Sequence, residues 1–534
     1  MTAVLPCSTG KNYLRAPKKP VFTARSHNPA HALDLKEFIS IVRNGERYET
    51  NGEAMDRVRR SFEFLETFAK GKVIYGINTG FGPMAQRAIP EEHQIALQYN
   101  LIRSHAAGAG DPLPYEAVRA MMLVRIVTFL KGGSGVGGPV VQGLVDMLNA
   151  GVCPRVPEHG GVGASGDLTQ QAHLALGLIG EGWGMDARGS ASMKELMARH
   201  GLTPVELKLR DGLALINGTA CMTGIGLLNI HHAQVLLDRA IEMGALLTEV
   251  LGTWDDHVSV GLNEAKHHRG QREVAERARQ ALTGSKLTRD RSAHHGSMGA
   301  PGDVSYSHVV QEQYSIRCVP QILGPILDTL RFSEQVLLDE LHSVDDNPVV
   351  VPGTGVFHGG NFHGDQVSLE MDKLRLAVVK LSMLTERQLN LLLNDRDQDR
   401  FPPFLNMETP GLTLGMQGMQ FTATSTVAEN QALATSLYVH SITCNNENQD
   451  VVSMGTNAAN ATAKVLRNTG RIMAIQAIAL AQAVDLQGRK EELSPAGRAF
   501  HERVRSYTQP IVSASDPAEA VEAVYNGIFQ PSAP

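Results

Sequence analysis

The run DQVSLEMDKLRLAVVKLSMLTERQLNLLLN, residues 365–394, sets Val367, Met371, Leu374, Val378 and Leu381 at steps of four and three, with charged residues between them. That spacing draws one apolar stripe along an α-helix of about eight turns. A stripe of this length is buried only against partners of similar length, so the expected fold is mainly α, with a long central helical bundle. A second stretch, Ala-rich from Ala458 to Ala483, carries small side chains that let neighbouring helices approach closely, and Pro402 and Pro403 mark the break between the two. Helical periodicity dominates from Leu33 onward, strand-like alternation is rare and short, and no repeat stands out. Three parts are expected: a flexible arm over 1–32, a smaller N-terminal domain over 33–225, and the bundle with a helical C-terminal region over 226–534. The arm is basic through Lys11, Arg15, Lys18, Lys19 and Arg25 and contains no acid. Its prolines, Pro17, Pro20 and Pro29, favour a surface arm over a transit peptide.

Several function classes fall away on composition. The 534 residues are 43% hydrophobic and 19% charged, with no apolar run near the ~20 residues needed to cross a bilayer, so a globular protein with no membrane partner is expected. A net charge of -6 and the lack of a Lys/Arg cluster interleaved with aromatics argue against a nucleic-acid partner. Five scattered cysteines, never in a CxxC pair, fit a reducing compartment, and the cytoplasm is the expected location. Gly133, Gly135 and Gly138 form a GxGxxG, but the preceding EAVRAMMLVRIVTFLKG is too long for a buried strand and is interrupted by Arg119 and Arg125, so it reads as helix and no nucleotide is expected. Ser165 is not a hydrolase nucleophile, because the GxSxG elbow needs glycine where Asp167 stands. The pairs His231-His232, His267-His268 and His294-His295 point about 100° apart on a helix, so no metal is expected.

Four Gly-rich segments remain as sites for chemistry: 75–83, 131–139, 158–167 and 357–364. In GGVGASGDLTQ, residues 160–170, Ala164, Ser165 and Gly166 sit together at a turn. If the turn brings the Gly166 amide nitrogen onto the Ala164 carbonyl carbon, the backbone closes a five-membered ring. Loss of water from the ring and from Ser165 then leaves an exocyclic methylidene, an electrophile that no ordinary side chain provides. Glycine suits the attacking position because it lacks a Cβ. Asp167 is expected to cap a helix through LTQQAHLALGLIG, with Leu168, Ala172, Ala175, Leu176 and Ile179 as its apolar stripe and its N-terminus facing the turn.

GVGASGDL, YGINTGFGPMAQ, LIRSHAAG, LALINGT, QEQYSIRCVPQ, DDNPVV, FHGGNFHG and NQDVVSMG stand in this order over about residues 35–525, and together they resemble the aromatic amino acid ammonia-lyase and aminomutase family. Within it, the strings are similar to the bacterial tyrosine ammonia-lyase branch. The resemblance implies a histidine ammonia-lyase-like fold and a homotetramer with pockets shared between subunits. It also implies 4-methylideneimidazol-5-one (MIO), formed from Ala164, Ser165 and Gly166, as the prosthetic group in the smaller domain, with no added cofactor.

The same resemblance implies that Tyr75 is the general base. A phenol is a poor base at neutral pH, so the site must stabilise the phenolate; the plainer alternative has Tyr75 packing beside Phe81. Arg317 resembles the family's carboxylate clamp, for which a guanidinium has the right shape, and Tyr314 and Gln311, three and six residues before it, would share its helix face. Asn217 resembles the residue that contacts the ring or the substrate carboxylate. Phe362 should line the aromatic pocket, Glu429 matches an acid that contacts the substrate amine or ring substituent, and Asn448 falls in the substrate-binding NQD string. His105 occupies the ring-selecting position and excludes a strict phenylalanine enzyme. Val451 replaces a polar residue common in histidine lyases and favours tyrosine. The expected activity is elimination of ammonia from L-tyrosine to give trans-4-coumarate, with histidine ammonia-lyase and tyrosine 2,3-aminomutase as alternatives, and an inactive helical scaffold as the non-enzyme reading.

Overall fold

A computed structural model describes residues 32–291, 310–394 and 400–531. All but the last residue of the expected arm, and the His294-His295 pair, lie outside the described residues. Eight helices build the frame: α1 (Glu91–His105), α2 (Tyr115–Leu130), α3 (Leu168–Leu178), α4 (Ala220–Leu251), α5 (Val319–Leu341), α6 (Asp365–Leu393), α7 (Gln417–Ala432) and α8 (Gly455–Gln487). α4, α5, α6 and α8 pack along one another as a bundle, with α7 against α6 and α8 and with α2 against α4. The two stretches that sequence patterning identifies as long helices are α6 and α8, each within a few residues of the expected bounds. α6 buries Val367, Met371, Leu374, Val378 and Leu381, the five residues of its stripe. α8 is enclosed on all sides from Ile472 to Val484, which explains its small side chains: alanines admit a helix into the middle of a bundle without overpacking. α4 and α8 stop at Gly252 and Gly488, each in the left-handed conformation that ends a helix.

Among the described residues, strand content is three small antiparallel sheets. Ala109–Pro112 pairs with Pro157–His159, Trp183–Asp186 pairs with both Cys153–Pro154 and Gly189–Ser192, and Val349–Val351 pairs with Gly355–Phe357. The boundary expected between 225 and 226 falls inside α4, because that helix opens at the Gly-rich loops and runs on into the bundle. Among the described residues the main hydrophobic core runs from Leu33 to Phe529, and a second, small cluster gathers Leu65, Ile74, Ile77 and Val350. Among the described residues no helix is long and apolar enough to cross a membrane, and no group of three His, Cys, Asp or Glu is placed to hold a metal ion.

α2 is helical, as its length requires, yet Arg119 and Arg125 do not mark an exposed face: both are buried. Arg119 donates to the carbonyls of Ile41 (2.7 Å), Val42 (2.8 Å) and Leu148 (2.7 Å), tying three backbone groups to α2. The GxGxxG segment opens the helix Gly138–Ala150, and the amide at its N-cap, Gly137, is taken by the buried Asp211 carboxylate at 2.8 Å, which occupies the position a phosphate would need. Truncating Arg119 to alanine removes the buried side-chain donor from all three carbonyls, of which Leu148 keeps the Gly151 amide. It should destabilise the chain by about 3 kcal/mol, read as a fall in the thermal unfolding midpoint.

Candidate active site

Gly166 lies flat against Gly218. An isolated parallel bridge joins them, the Asp167 amide donates to the Gly218 carbonyl at 2.8 Å, and the Gly218 amide donates to the Ser165 carbonyl at 3.2 Å. Gly166 has φ +72°, and a Cβ built on it would sit 1.8 Å from the Gly218 carbonyl oxygen, so no other residue fits. Gly218, at φ +119°, is as confined from behind: a Cβ there would meet Arg125 Nη1 at 2.5 Å and Asp345 Oδ2 at 2.6 Å. The Ser165 carbonyl takes a second donor, Asn217 Nδ2, at 3.2 Å, and the Ser165 hydroxyl accepts from Gln449 Nε2 at 2.9 Å. Ala164 is buried. The turn is held on its other side by the Met454 amide on the Val162 carbonyl (3.0 Å) and by the Ser453 hydroxyl (3.1 Å) and Gly364 amide (3.3 Å) on the Gly163 carbonyl.

Asp167 corrects one expectation. It stands at the N-cap position of α3, but its side chain does not bond into that helix. Its carboxylate instead accepts from the Met222 amide in the first turn of α4 (2.8 Å) and from the Thr456 hydroxyl in the first turn of α8. Three helix N-termini therefore meet at this loop, and their partial positive charge converges there. Burial pushes the Asp167 carboxyl up to about 6, opposed by its bonds to Thr456 and the Met222 amide. The stripe expected on α3 is also broader than drawn. Gln170, Gln171, Leu174 and Leu178 are buried with Ala172 and Ala175, whereas Leu168 and Leu176 are half-buried.

Tyr75 is half-buried, packs edge-on against Phe81 with ring centroids 6.0 Å apart, and accepts from the Gly82 amide through its hydroxyl at 3.1 Å. Packing beside Phe81 and a hydroxyl held by an amide coexist, so the plain structural alternative does not exclude the chemical one. The Tyr75 amide donates to His358 Nε2 at 3.3 Å. The segment of His358 and Phe362 thus reaches Tyr75 at one end and, through Gly364, the Gly163 carbonyl at the other. Asn445 abuts Gly82, which brings the loop of Asn448 and Gln449 onto the Tyr75 loop. Gln98 of α1 donates to the Gly76 carbonyl at 2.9 Å, and His105 ends the same helix. His105 Nδ1 faces the Leu101 carbonyl at 2.9 Å. Within one chain, Tyr75, His105, Ala164, Ser165, Gly166, Asn217, Phe362 and Asn448 belong to one cluster of loops.

Gln311, Tyr314 and Arg317 do not join it. The helix expected to carry all three is a single turn, Tyr314–Arg317, with Gln311 in the bend before it. The three still meet: Arg317 bonds Gln311 Oε1 and its guanidinium lies 4.7 Å from the Tyr314 ring centre, while Tyr314 itself is 69% exposed. This cluster docks through the Ser315 carbonyl on Gln388 of α6 (2.9 Å). Gly364, which touches the Ser165 loop, precedes the first residue of α6, so the helical rise puts the two clusters roughly 36 Å apart. Glu429 of α7 is engaged with Lys464 (2.7 Å) and Asn468 (2.8 Å), well along α8 from its N-terminus.

Sequence reasoning missed His358, Gly218, Asp345 and Gln449 as parts of the site, though all four stand within strings that carry the resemblance.

A buried turn that admits only glycine, a small residue on its far side, donors on the central carbonyl and helix N-termini behind it fit the condensation of Ala164, Ser165 and Gly166. The chain matches the aromatic amino acid lyase family over residues 33–506 and belongs to it; it is a carbon–nitrogen lyase. It is 38% identical over 460 residues to an MIO-dependent tyrosine 2,3-aminomutase of Streptomyces globisporus, covering 85% of each chain. It is 37% identical over 495 residues to a histidine ammonia-lyase of Geobacillus thermodenitrificans (92% of this chain, 95% of that one). It is 37% identical over 528 residues to a tyrosine ammonia-lyase of Cereibacter sphaeroides (97% and 99%). The crystal structure of tyrosine aminomutase from Streptomyces globisporus has the same fold, with TM-score 0.89, 33% identity and coverage of 94% and 96%.

Gly218→Ala should push the turn off the Ser165 carbonyl. Turnover should fall at least about 100-fold, and the whole-protein mass should shift toward that of the uncyclised sequence.

Proposed function

We propose that the chain is a tyrosine ammonia-lyase that converts L-tyrosine to trans-4-coumarate and ammonia, with MIO formed from Ala164, Ser165 and Gly166. The observation that carries the choice of ring is the 2.9 Å contact between His105 Nδ1 and the Leu101 carbonyl. That carbonyl is an acceptor only and also takes the Ser104 hydroxyl, which stands 3.1 Å from Nδ1, so the proton is assigned to Nδ1, which leaves a lone pair on Nε2. A phenolic hydroxyl donates to that lone pair; a bare phenyl ring leaves it unpaired. Val451 in place of a polar residue supports tyrosine over histidine.

MIO supplies the electrophile to which the substrate adds. Asn217 Nδ2 and the Gly218 amide hold the Ser165 carbonyl oxygen, where electron density gathers on addition. Tyr75 is the base that removes the β-proton, its oxygen fixed by the Gly82 amide. Phe362 flanks the aromatic ring, Asn448 lines the substrate pocket, and His105 receives the hydroxyl. Arg317, with Gln311 and Tyr314, clamps the carboxylate, and Glu429 serves the amine side. Separation of the two clusters along α6 supports clamps donated by another copy in a homotetramer with shared sites. The exposed apolar side chains Leu412, Phe421, Val439, Ile442 and Val451 supply a surface for such an assembly.

Tyrosine, histidine and phenylalanine offered separately, with ultraviolet detection of the conjugated acid, test the reading; fastest release of urocanate, or accumulation of β-tyrosine, defeats it. His105→Phe should lower kcat/KM for tyrosine relative to phenylalanine by about 100-fold or more. Co-expressing inactive Ser165→Ala and Arg317→Ala chains should restore part of the activity, because mixed assemblies contain some sites with both groups intact. Absence of any recovery would count against shared sites.

A further inference from the structure

The turn that seats the Gly-rich loop needs one more proton than its side chains ordinarily carry. Thr219 Oγ1 lies 2.5 Å from Glu340 Oε1 and 3.1 Å from Asp345 Oδ2, yet a hydroxyl has a single proton to donate. Asp345 is surrounded by donors, since it also accepts from the Thr219 amide at 2.6 Å and from Arg125 at 2.9 Å. Glu340 is not. Among the described residues its carboxyl has no cation, and it occupies the last turn of α5, where unpaired carbonyls disfavour a negative charge. The charged groups around it are Asp345 and Asp346 of the following loop, Asp167 before α3, Arg125 of α2 and Arg210 before α4. Arg125 bonds both aspartates and Arg210 lies 3.9 Å from Asp346, so neither arginine serves Glu340.

We propose that Glu340 is a positioning residue held as a neutral carboxylic acid: it donates to Thr219 Oγ1, Thr219 donates to Asp345, and this shared proton fixes the turn Asn217–Gly218–Thr219 against the Ser165 carbonyl. Burial, with Asp345 and Asp167 facing it, pushes Glu340 up to about 7, in agreement with that arrangement. When the proton leaves, two carboxylates compete for one hydroxyl proton directly behind Gly218, where Asp345 already touches the backbone. The Gly218 amide that holds Ser165 is then free to shift.

The sign follows from linkage. A carboxyl whose folded value is raised above its unfolded value contributes stability that is whole below the usual value of 4.5 and is lost progressively as pH rises from there through about 7. Glu340→Gln keeps the shape and donates an N–H to Thr219 at every pH. Between pH 6 and 8 the Tm of wild type should therefore fall by roughly 1 °C more than that of E340Q. Parallel Tm curves overturn the proposal, and so does failure of E340Q to fold, because a neutral amide must be accepted where a neutral acid stands. The catalytic arm rests on the lyase reading above: the ratio of kcat for E340Q to wild type should rise about threefold from pH 6.5 to 8.5, and a flat ratio overturns the positioning role. The Tm arm uses no substrate. Diverging Tm curves with no conjugated acid released by either protein from any of the three amino acids would leave the proton assignment standing and sink the lyase reading.

Discussion

The contact between Gly166 and Gly218 is the constraint on which the rest of the site depends. Backbone meets backbone there without an intervening side chain, and the surrounding structure maintains that closeness. From one side, Asp167 draws the first turns of α4 and α8 together on a single buried carboxylate. From the other, Asp345 and Arg125 fill the space that a side chain at Gly218 would need. A buried aspartate with helix N-termini around it is tolerable, because its charge is met by amides and a hydroxyl. Without that convergence, the loop would be an ordinary Gly-rich turn.

Much of the frame was legible in the sequence. The stripe on α6 and the alanines of α8 encode length and burial directly, because 3.6-residue periodicity and side-chain size are local properties. α2 was also readable as helix, although its arginines were misread as interruptions. A buried arginine is a tertiary fact, made tolerable by carbonyls from Ile41, Val42 and Leu148 that no local pattern announces. The Asp167 cap failed for a related reason. Residue type and position argued for a bond to the nearest helix, and two helices distant in sequence offered better donors.

Within the candidate site, the motif strings located loops but not their distances. Tyr75, Asn217 and Phe362 come together because His358, Gly218 and Gly364 join their loops by backbone bonds. Arg317, three residues after Tyr314 in one quoted string, keeps its local partners but belongs to the far end of α6. Spacing along a chain constrains what shares a helix face, whereas the reach of a long helix decides what shares a pocket.

The meeting of Gly166 with Gly218 also fixes an order of events. Neither glycine has any cause to approach the other in a nascent or unfolded chain; the contact exists only once α3, α4 and α8 have docked. Any reactivity the loop acquires therefore depends on the docked fold, and a copy in which those helices have not come together lacks the contact that would permit it.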